Sequence, residues 1–247
     1  MAGFQHDSVV PYSNADAGKK EQVAEMFDDI AHRYDFMNRF LSAGIDKGWR
    51  RKALKDLSAL KPRSLLDVAT GTAEVALMAA DILKPDRIVG IDISEGMLEL
   101  GRKKVRDAGL DTMIELRTGD SESIRFPDES FDAATVAFGV RNFADLVKGL
   151  TEIRRVLRPG GRLIVLEFSK PSAFGLRHFY NFYTGTLAPH LGGLFSRNRK
   201  AYRYLHDSVQ AFPEGRDFMQ VLSDCGYRDL TCKRLSFGIC SVYAGSR

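Results

Sequence analysis

The chain has 247 residues, 44% of them apolar and 28% charged, with a formal net charge of +4. This balance excludes a disordered chain, and no apolar run approaches the ~20 residues needed to span a bilayer. Three late cysteines, Cys225, Cys232 and Cys240, are odd in number and lack metal-ligand spacing, which points to a reducing, cytoplasmic setting without a bound metal.

Residues 1–19 lack the apolar stretch of a signal peptide and read as a flexible arm. A helical cap is predicted over 20–61. Val23, Met26, Phe27 and Ile30 recur at helical spacing, and a basic, apolar segment from Trp49 to Leu60 stops at Pro62. The texture then alternates. Strands are predicted at RSLLDVAT (63–70), RIVGIDI (87–93), MIELRTGD (113–120), FDAATVAFG (131–139) and RLIVLEFS (162–169). Helices follow the first, second and fourth strands, and the turn RPGG stops the last of these helices. Residues 170–213 form an aromatic, basic segment, and 214–247 supply a helix near 214–226 and a terminal hairpin.

Strands apolar on both faces and alternating with helices imply a parallel sheet covered on two sides. The predicted fold is α/β: one domain over 20–247 with a doubly wound, mostly parallel, seven-stranded Rossmann-like sheet. The core occupies 62–169, with the helical cap before it and an antiparallel hairpin at its end.

Ligands of such sheets bind beyond the carboxyl ends of the strands. There, LLDVATGTAE (65–74) carries Asp67 and a single glycine, Gly71, at a strand-to-helix turn. Ala69 and Ala73 stand where dinucleotide fingerprints prefer glycine. Asp92 ends the second strand and suits the hydroxyls of an adenosine ribose. Asp120 and Ser121 end the third strand and suit the edge of an adenine. The depleted glycines disfavour a pyrophosphate, so S-adenosylmethionine fits better than NAD.

At PDESFDAATVAFGVRNF (127–143) and EIRRVLRPGGRLIVLEFSKP (152–171) the sequence resembles the quinone-biosynthesis C-methyltransferases. The likeness extends to residues 23–51 and to YRYLHDSVQAFP (202–213). It implies cofactor contacts at Thr72, Asp92, Asp120, Ser121 and Ala137, where the family often has serine at the last of these positions. The family's D-x-x-G-G-T-G-D pattern is broken by Thr70, Ala73 and Glu74, which we expect to alter how close the turn comes without abolishing binding.

The implied reaction converts demethylmenaquinol to menaquinol, or methylates a polyprenyl-methoxy-benzoquinol on the ubiquinone route. Ring carbon becomes nucleophilic when a ring hydroxyl loses its proton, so a base and a phenolate-stabilising donor are required. Arg141 suits the donor role and Asn142 could add a hydrogen bond. For the base, Tyr34, His32, Asp35 and His206 stay open.

The aromatic residues Phe168, Phe174, Phe179, Tyr180, Phe182, Tyr183, Phe195, Tyr202 and Tyr204 are candidates to line a prenyl channel. Lys170, Arg177, Arg197, Arg199, Lys200 and Arg203 add charge for transient contact with the inner face of the cytoplasmic membrane. Two other classes are a nucleic-acid methyltransferase, which the basic aromatic segment alone supports, and a non-catalytic assembly protein of the same fold. No nucleic-acid partner is expected. The oligomeric state is open, with a homodimer as one option.

Overall fold

The structure, a computed structural model, describes residues 4–12, 17–42, 44–171 and 199–247. The predicted helical cap is two helices, α1 (Lys19–Leu41) and α2 (Ile45–Lys55). The alternating core follows as β1 (Ser64–Val68), α3 (Glu74–Leu83), β2 (Arg87–Asp92), α4 (Glu95–Asp107), β3 (Ile114–Thr118) and β4 (Phe131–Ala137). It continues with α5 (Leu146–Val156) and β5 (Leu157–Phe168). The chain ends with α6 (Arg199–Ala211), α7 (Arg216–Asp224), β6 (Arg228–Leu235) and β7 (Cys240–Ser246).

Two helix starts, those of α4 and α5, fall where capping residues stand. The Ser94 hydroxyl accepts from the Met97 amide at α4, and the Asp145 carboxylate accepts from the Lys148 amide at α5. The RPGG turn is absorbed into β5, which slips register between Phe131↔Leu157 and Ala133↔Arg162. Gly160, at φ 77°, is the residue that lets the bulge form.

Among the described residues the strands make one seven-stranded sheet in the order β3-β2-β1-β4-β5-β7-β6. Only the pairs that β7 makes, with β5 and with β6, are antiparallel. One apolar layer packs α5 and α7 on a face through Leu150, Ile153 and Phe218. The other packs α2, α3 and α4 through Leu54, Ala76 and Leu98. Order reverses between β1 and β4, so their carboxyl ends open a crevice there. A third, smaller cluster joins α1 to α6 through Val23, Met26, Ala201 and Tyr204.

Two expectations change. The segment 170–213 contains a helix, α6, because Ala201, Tyr204, Ser208 and Val209 bury one face at helical spacing. The arm expected to be loose is seated in part. Residues Gln5–Ser8 form a 3-10 turn, His6 is fully buried against Phe212, and the Lys19 ammonium donates to the His6 carbonyl at 2.7 Å. Of the expected channel residues, Phe174, Arg177, Phe179, Tyr180, Phe182, Tyr183, Phe195 and Arg197 lie outside the described residues, as do the side chains of Arg199 and Tyr202.

Candidate active site

A cleft of ≈ 680 Å³, counting its open mouth, sits over the carboxyl ends of β1, β2 and β4. Its floor includes Gly71, Asp92 and Ala137, and one side is formed by Asp120 and Ser121. The roof is α1, which contributes Lys20, Val23, Phe27 and Tyr34. Most of the expected cofactor positions therefore meet in one place.

The turn after β1 shows why this happens without the full glycine pattern. Ala69, Gly71 and Ala73 all adopt left-handed backbone, at φ 54°, 56° and 64°. The alanines take the conformation that glycines would take at no steric cost. Asp67 was expected at the cofactor, but its carboxylate lies below the turn. It accepts hydrogen bonds from the Thr70 hydroxyl at 2.6 Å and the Thr135 hydroxyl at 2.7 Å. It therefore ties β1 to β4, and burial pushes its carboxyl up to about 6.

Asp92 holds the same turn from the other side. One carboxylate oxygen accepts the Gly71 amide at 2.8 Å and the other accepts the Ser94 amide at 2.9 Å. Each oxygen keeps a lone pair, and the residue lines the cleft. Burial pushes this carboxyl up, while the amide donors pull it back.

At the third strand end, Asp120 accepts the Glu122 amide at 2.8 Å and the Lys20 ammonium at 2.7 Å. Lys20 also reaches Glu122 at 2.7 Å. Glu122 in turn accepts the amides of Ala144 and Asp145, so the two loops and the roof share one carboxylate.

Further along, the roof is latched by two aspartates. Asp28 accepts the Ser94 hydroxyl at 2.6 Å and the Gly96 amide at 2.9 Å. Asp35 accepts the Thr72 hydroxyl at 2.7 Å and the Lys104 ammonium at 2.5 Å. Thr72, expected to touch the cofactor, is thus drawn away from the cleft to fasten α1. Asp35, a candidate base, is committed to the same latch. Of the other candidates, His32 is exposed and His206 half-buried, and neither lines the cleft.

The tip of β4 carries the largest correction. Arg141 was expected to present its fork to a ring. Instead it is buried behind the cleft wall, pairing with Glu167 at 2.7 Å and donating to the Phe138 carbonyl at 2.6 Å. Glu167 sits in β5 with no exposure, and so demands a buried cation. Among the described residues the Arg141 Nε finds no hydrogen-bond partner. Asn142 does line the cleft, its side-chain oxygen accepting from the Tyr204 hydroxyl at 3.0 Å. Phe138, at φ 58°, stacks against Phe168 with ring centres 4.5 Å apart and meets Trp49 at 6.4 Å.

Lys20, Glu122 and Glu167 were not singled out from the sequence, and Phe27 and Tyr204 were expected only on a helix face and in a prenyl channel. Glu167 left a readable signal, because a carboxylate inside the apolar run RLIVLEFS needs a partner. Lys20 and Phe27 left none, since a cap helix can dock in many registers.

The fit to an adenosine-containing sulfonium is good on this geometry. Asp92 has lone pairs to spare for hydroxyls, Ile93, Met97 and Phe27 offer apolar walls for a base, and the turn at Gly71 leaves open space.

Comparison with known proteins bears on the same question. The model of the ubiE/COQ5 methyltransferase family matches residues 15–247. A protein of Bacteroides fragilis named demethylmenaquinone methyltransferase is 44% identical over 244 residues, covering 99% of each chain. A protein of Geobacter sulfurreducens, named ubiquinone/menaquinone biosynthesis C-methyltransferase UbiE, is 45% identical over 93% of this chain and 90% of its own. Among solved structures, a Thermotoga maritima SAM-dependent methyltransferase superposes with a TM-score of 0.62 at 21% identity, over 90% of this chain and 98% of its own. That last likeness speaks to the fold.

Proposed function

The chain belongs to the ubiE/COQ5 methyltransferase family, and we propose on that premise how its residues share the work. It is a SAM-dependent C-methyltransferase of quinone biosynthesis, and its acceptor is demethylmenaquinol. The observation that carries this is the end-to-end match, 44% identical over 99% of the chain, to a relative named for that activity. The benzoquinol of the ubiquinone route is a second acceptor, favoured by the Geobacter relative, whose name covers both routes.

S-adenosylmethionine, when bound, supplies a methyl group on an electrophilic sulfonium. The residues that would hold it are Asp92 at the ribose hydroxyls, Asp120 and Ser121 at the adenine edge, and Gly71 and Ala137 as close-approaching floor. Asp67 and Thr72 support the site from outside it, Asp67 by fixing the turn and Thr72 by fastening the roof.

The acceptor ring lies between Tyr34 and Asn142. The Tyr204 hydroxyl bond fixes the Asn142 amide so that its N–H₂ can face a ring oxygen. Tyr34 hydrogen-bonds the ring hydroxyl as its proton leaves through water. Arg141 acts as a positioning residue: pinned by Glu167, it holds the Phe138 carbonyl and with it the turn that carries Asn142. The working units follow the sequence: cap 20–61, core 62–169, substrate segment 170–213 and closing hairpin 214–247.

Among the described residues no helix is long and apolar enough to cross a membrane. We place the enzyme in the cytoplasm, meeting its prenylated acceptor at the membrane's inner face. Two assays test the function. The purified protein with S-adenosylmethionine and a reduced demethylnaphthoquinone should yield the ring-methylated product. A deletion strain should accumulate demethylmenaquinone, and unchanged quinones there would overturn the assignment.

A further inference from the structure

The turn joining β6 to β7 holds three successive residues in left-handed backbone, Ser236 at φ 46°, Phe237 at 59° and Gly238 at 91°. Only the last can do so without strain. The consequence is that Phe237 stands 85% exposed. Strain that delivers an apolar side chain into water is a mark of function more than of folding.

The place of this turn gives the ring its meaning. Phe168 at the end of β5 pairs with Cys240 at the start of β7, so Phe237 projects from the edge where the cleft opens. The Trp49 indole N–H donates to the Ser236 hydroxyl at 2.8 Å, fastening the turn to α2. One helical turn further out on α2 is Ile45, 51% exposed. Down the outer face of the same helix run Lys47, Arg51 and Lys55, at i, i+4 and i+8. All three are exposed. None makes an ion pair with a described residue, and Arg234, exposed beside Gly238, makes none either. By contrast, the acidic residues of α2 and its C-terminal cap are spent: buried Asp46 on Arg50, and Asp56 on Lys233.

We propose that Phe237 and Ile45, with the Lys47–Arg51–Lys55 stripe, form the surface by which the protein docks on an anionic phospholipid bilayer. The proposal rests on the quinol-methyltransferase reading for its purpose, since a prenylated acceptor resides in the bilayer. Isolated apolar prongs beside unpaired cations match a lipid interface, where rings enter the headgroup layer and ammonium groups meet phosphates. A protein partner would call for a groove or a flat apolar patch, whereas among the described residues Phe237 and Ile45 stand as single exposed apolar side chains.

Phe237→Gly is the informative variant. Glycine suits φ 59°, so the variant should melt no lower than the natural protein while losing the ring. Its partition onto mixed phosphatidylglycerol/phosphatidylcholine vesicles should fall about tenfold. Lys47→Glu with Arg51→Glu should abolish the preference for those vesicles over phosphatidylcholine alone, each change costing about fivefold or more. Both variants should methylate a soluble, tail-free demethylnaphthoquinol at the natural rate. Vesicle binding by Phe237→Gly equal to the natural protein's would overturn the proposal. So would a natural protein that ignores anionic vesicles, or one that binds RNA in their place. If no version methylates the tail-free quinol, the methyltransferase reading fails on its own, and vesicle partition still decides the docking surface.

Discussion

A Cβ built on Gly139 would lie 2.5 Å from the Cβ of Ala69, so the loop after β4 can approach the loop after β1 only because one of the two lacks a methyl group. Both residues line the cleft. Ala69 occupies left-handed backbone where related folds favour glycine, and the glycine that accommodates its methyl has appeared across the crevice.

Gly139→Ala should therefore destabilise the protein by about 1–3 kcal/mol, the usual range for overpacking. Gly139 has φ −112°, so backbone strain does not enter. Ala69→Gly should be tolerated alone, and the double variant Ala69→Gly/Gly139→Ala should recover most of the loss. Denaturant unfolding of the four proteins measures the coupling. Additive effects would show that the two loops adjust independently.

Arg141 and Glu167 form a buried pair, at 5% and 0% exposure. Arg141→Ala should cost about 3–5 kcal/mol, because it strands a carboxylate in the interior. Replacing both, as Arg141→Met/Glu167→Gln, should restore much of that stability. Turnover of the double variant should stay low, since the Phe138 carbonyl loses its anchor and Asn142 its placement. Should Arg141→Ala melt like the natural protein while turnover collapses, the arginine would belong at the reacting ring.

The strands and their mostly parallel pairing were legible because a parallel sheet leaves apolar runs on both faces, as in SLLDV and RIVGID. That Asp92, Asp120 and Ser121 would line the cleft was legible for a related reason: strand ends fix their place whatever the helices do, while Ala137 came from the family resemblance. What the sequence hid was long-range. Thr72 and Asp35 sit 37 positions apart and Lys20 and Asp120 sit 100 apart, and each pair forms only through the docking of α1. Arg141 misled because strand-end position reports where the backbone goes, whereas its side chain turned inward to Glu167. Helix α6 hid behind its tyrosines and basic residues, which read as an aromatic, basic substrate segment, whereas Tyr204 and Ala201 pack against α1.

Asp92 carries a sharper test of cofactor binding than any glycine. Its two oxygens face two backbone N–H donors, so Asp92→Asn points an amide N–H₂ at one of them. The expected result is at least a tenfold weakening of S-adenosylmethionine in calorimetry, with a repulsive contact inside the turn adding to the lost charge. Asp120→Asn should weaken it less, because that carboxylate already answers to Lys20. An Asp92→Asn protein that binds as tightly as the natural one would remove the ribose role.

His6 makes the seated arm acid-sensitive. It has no exposure, and among the described residues neither ring nitrogen finds a hydrogen-bond partner; Nε2 lies 3.2 Å from Asp7 Oδ1 without hydrogen-bond geometry. Burial, with Lys19 nearby, holds its pKa down to about 3, against 6.5 when free. The folded form therefore favours the neutral ring. Its contribution is intact above pH 6.5 and is lost as pH falls from there toward 3. Asp67 runs the other way, since its raised value makes the fold bind a proton more tightly and favours folding as pH drops from 6 to 4. His6→Phe isolates the first effect: phenylalanine keeps the contact with Phe212 and cannot be protonated. Natural and variant proteins should respond to pH in parallel above 7 and diverge below 6.5, the variant gaining by about 2 kcal/mol at pH 5. That gain is capped by the free energy with which the arm docks, because protonation can release residues 4–12 without unfolding the sheet. Amide exchange in that segment should accordingly speed up on acidification in the natural protein and hold steady in the variant. Parallel exchange profiles in the two proteins would take His6 out of the account.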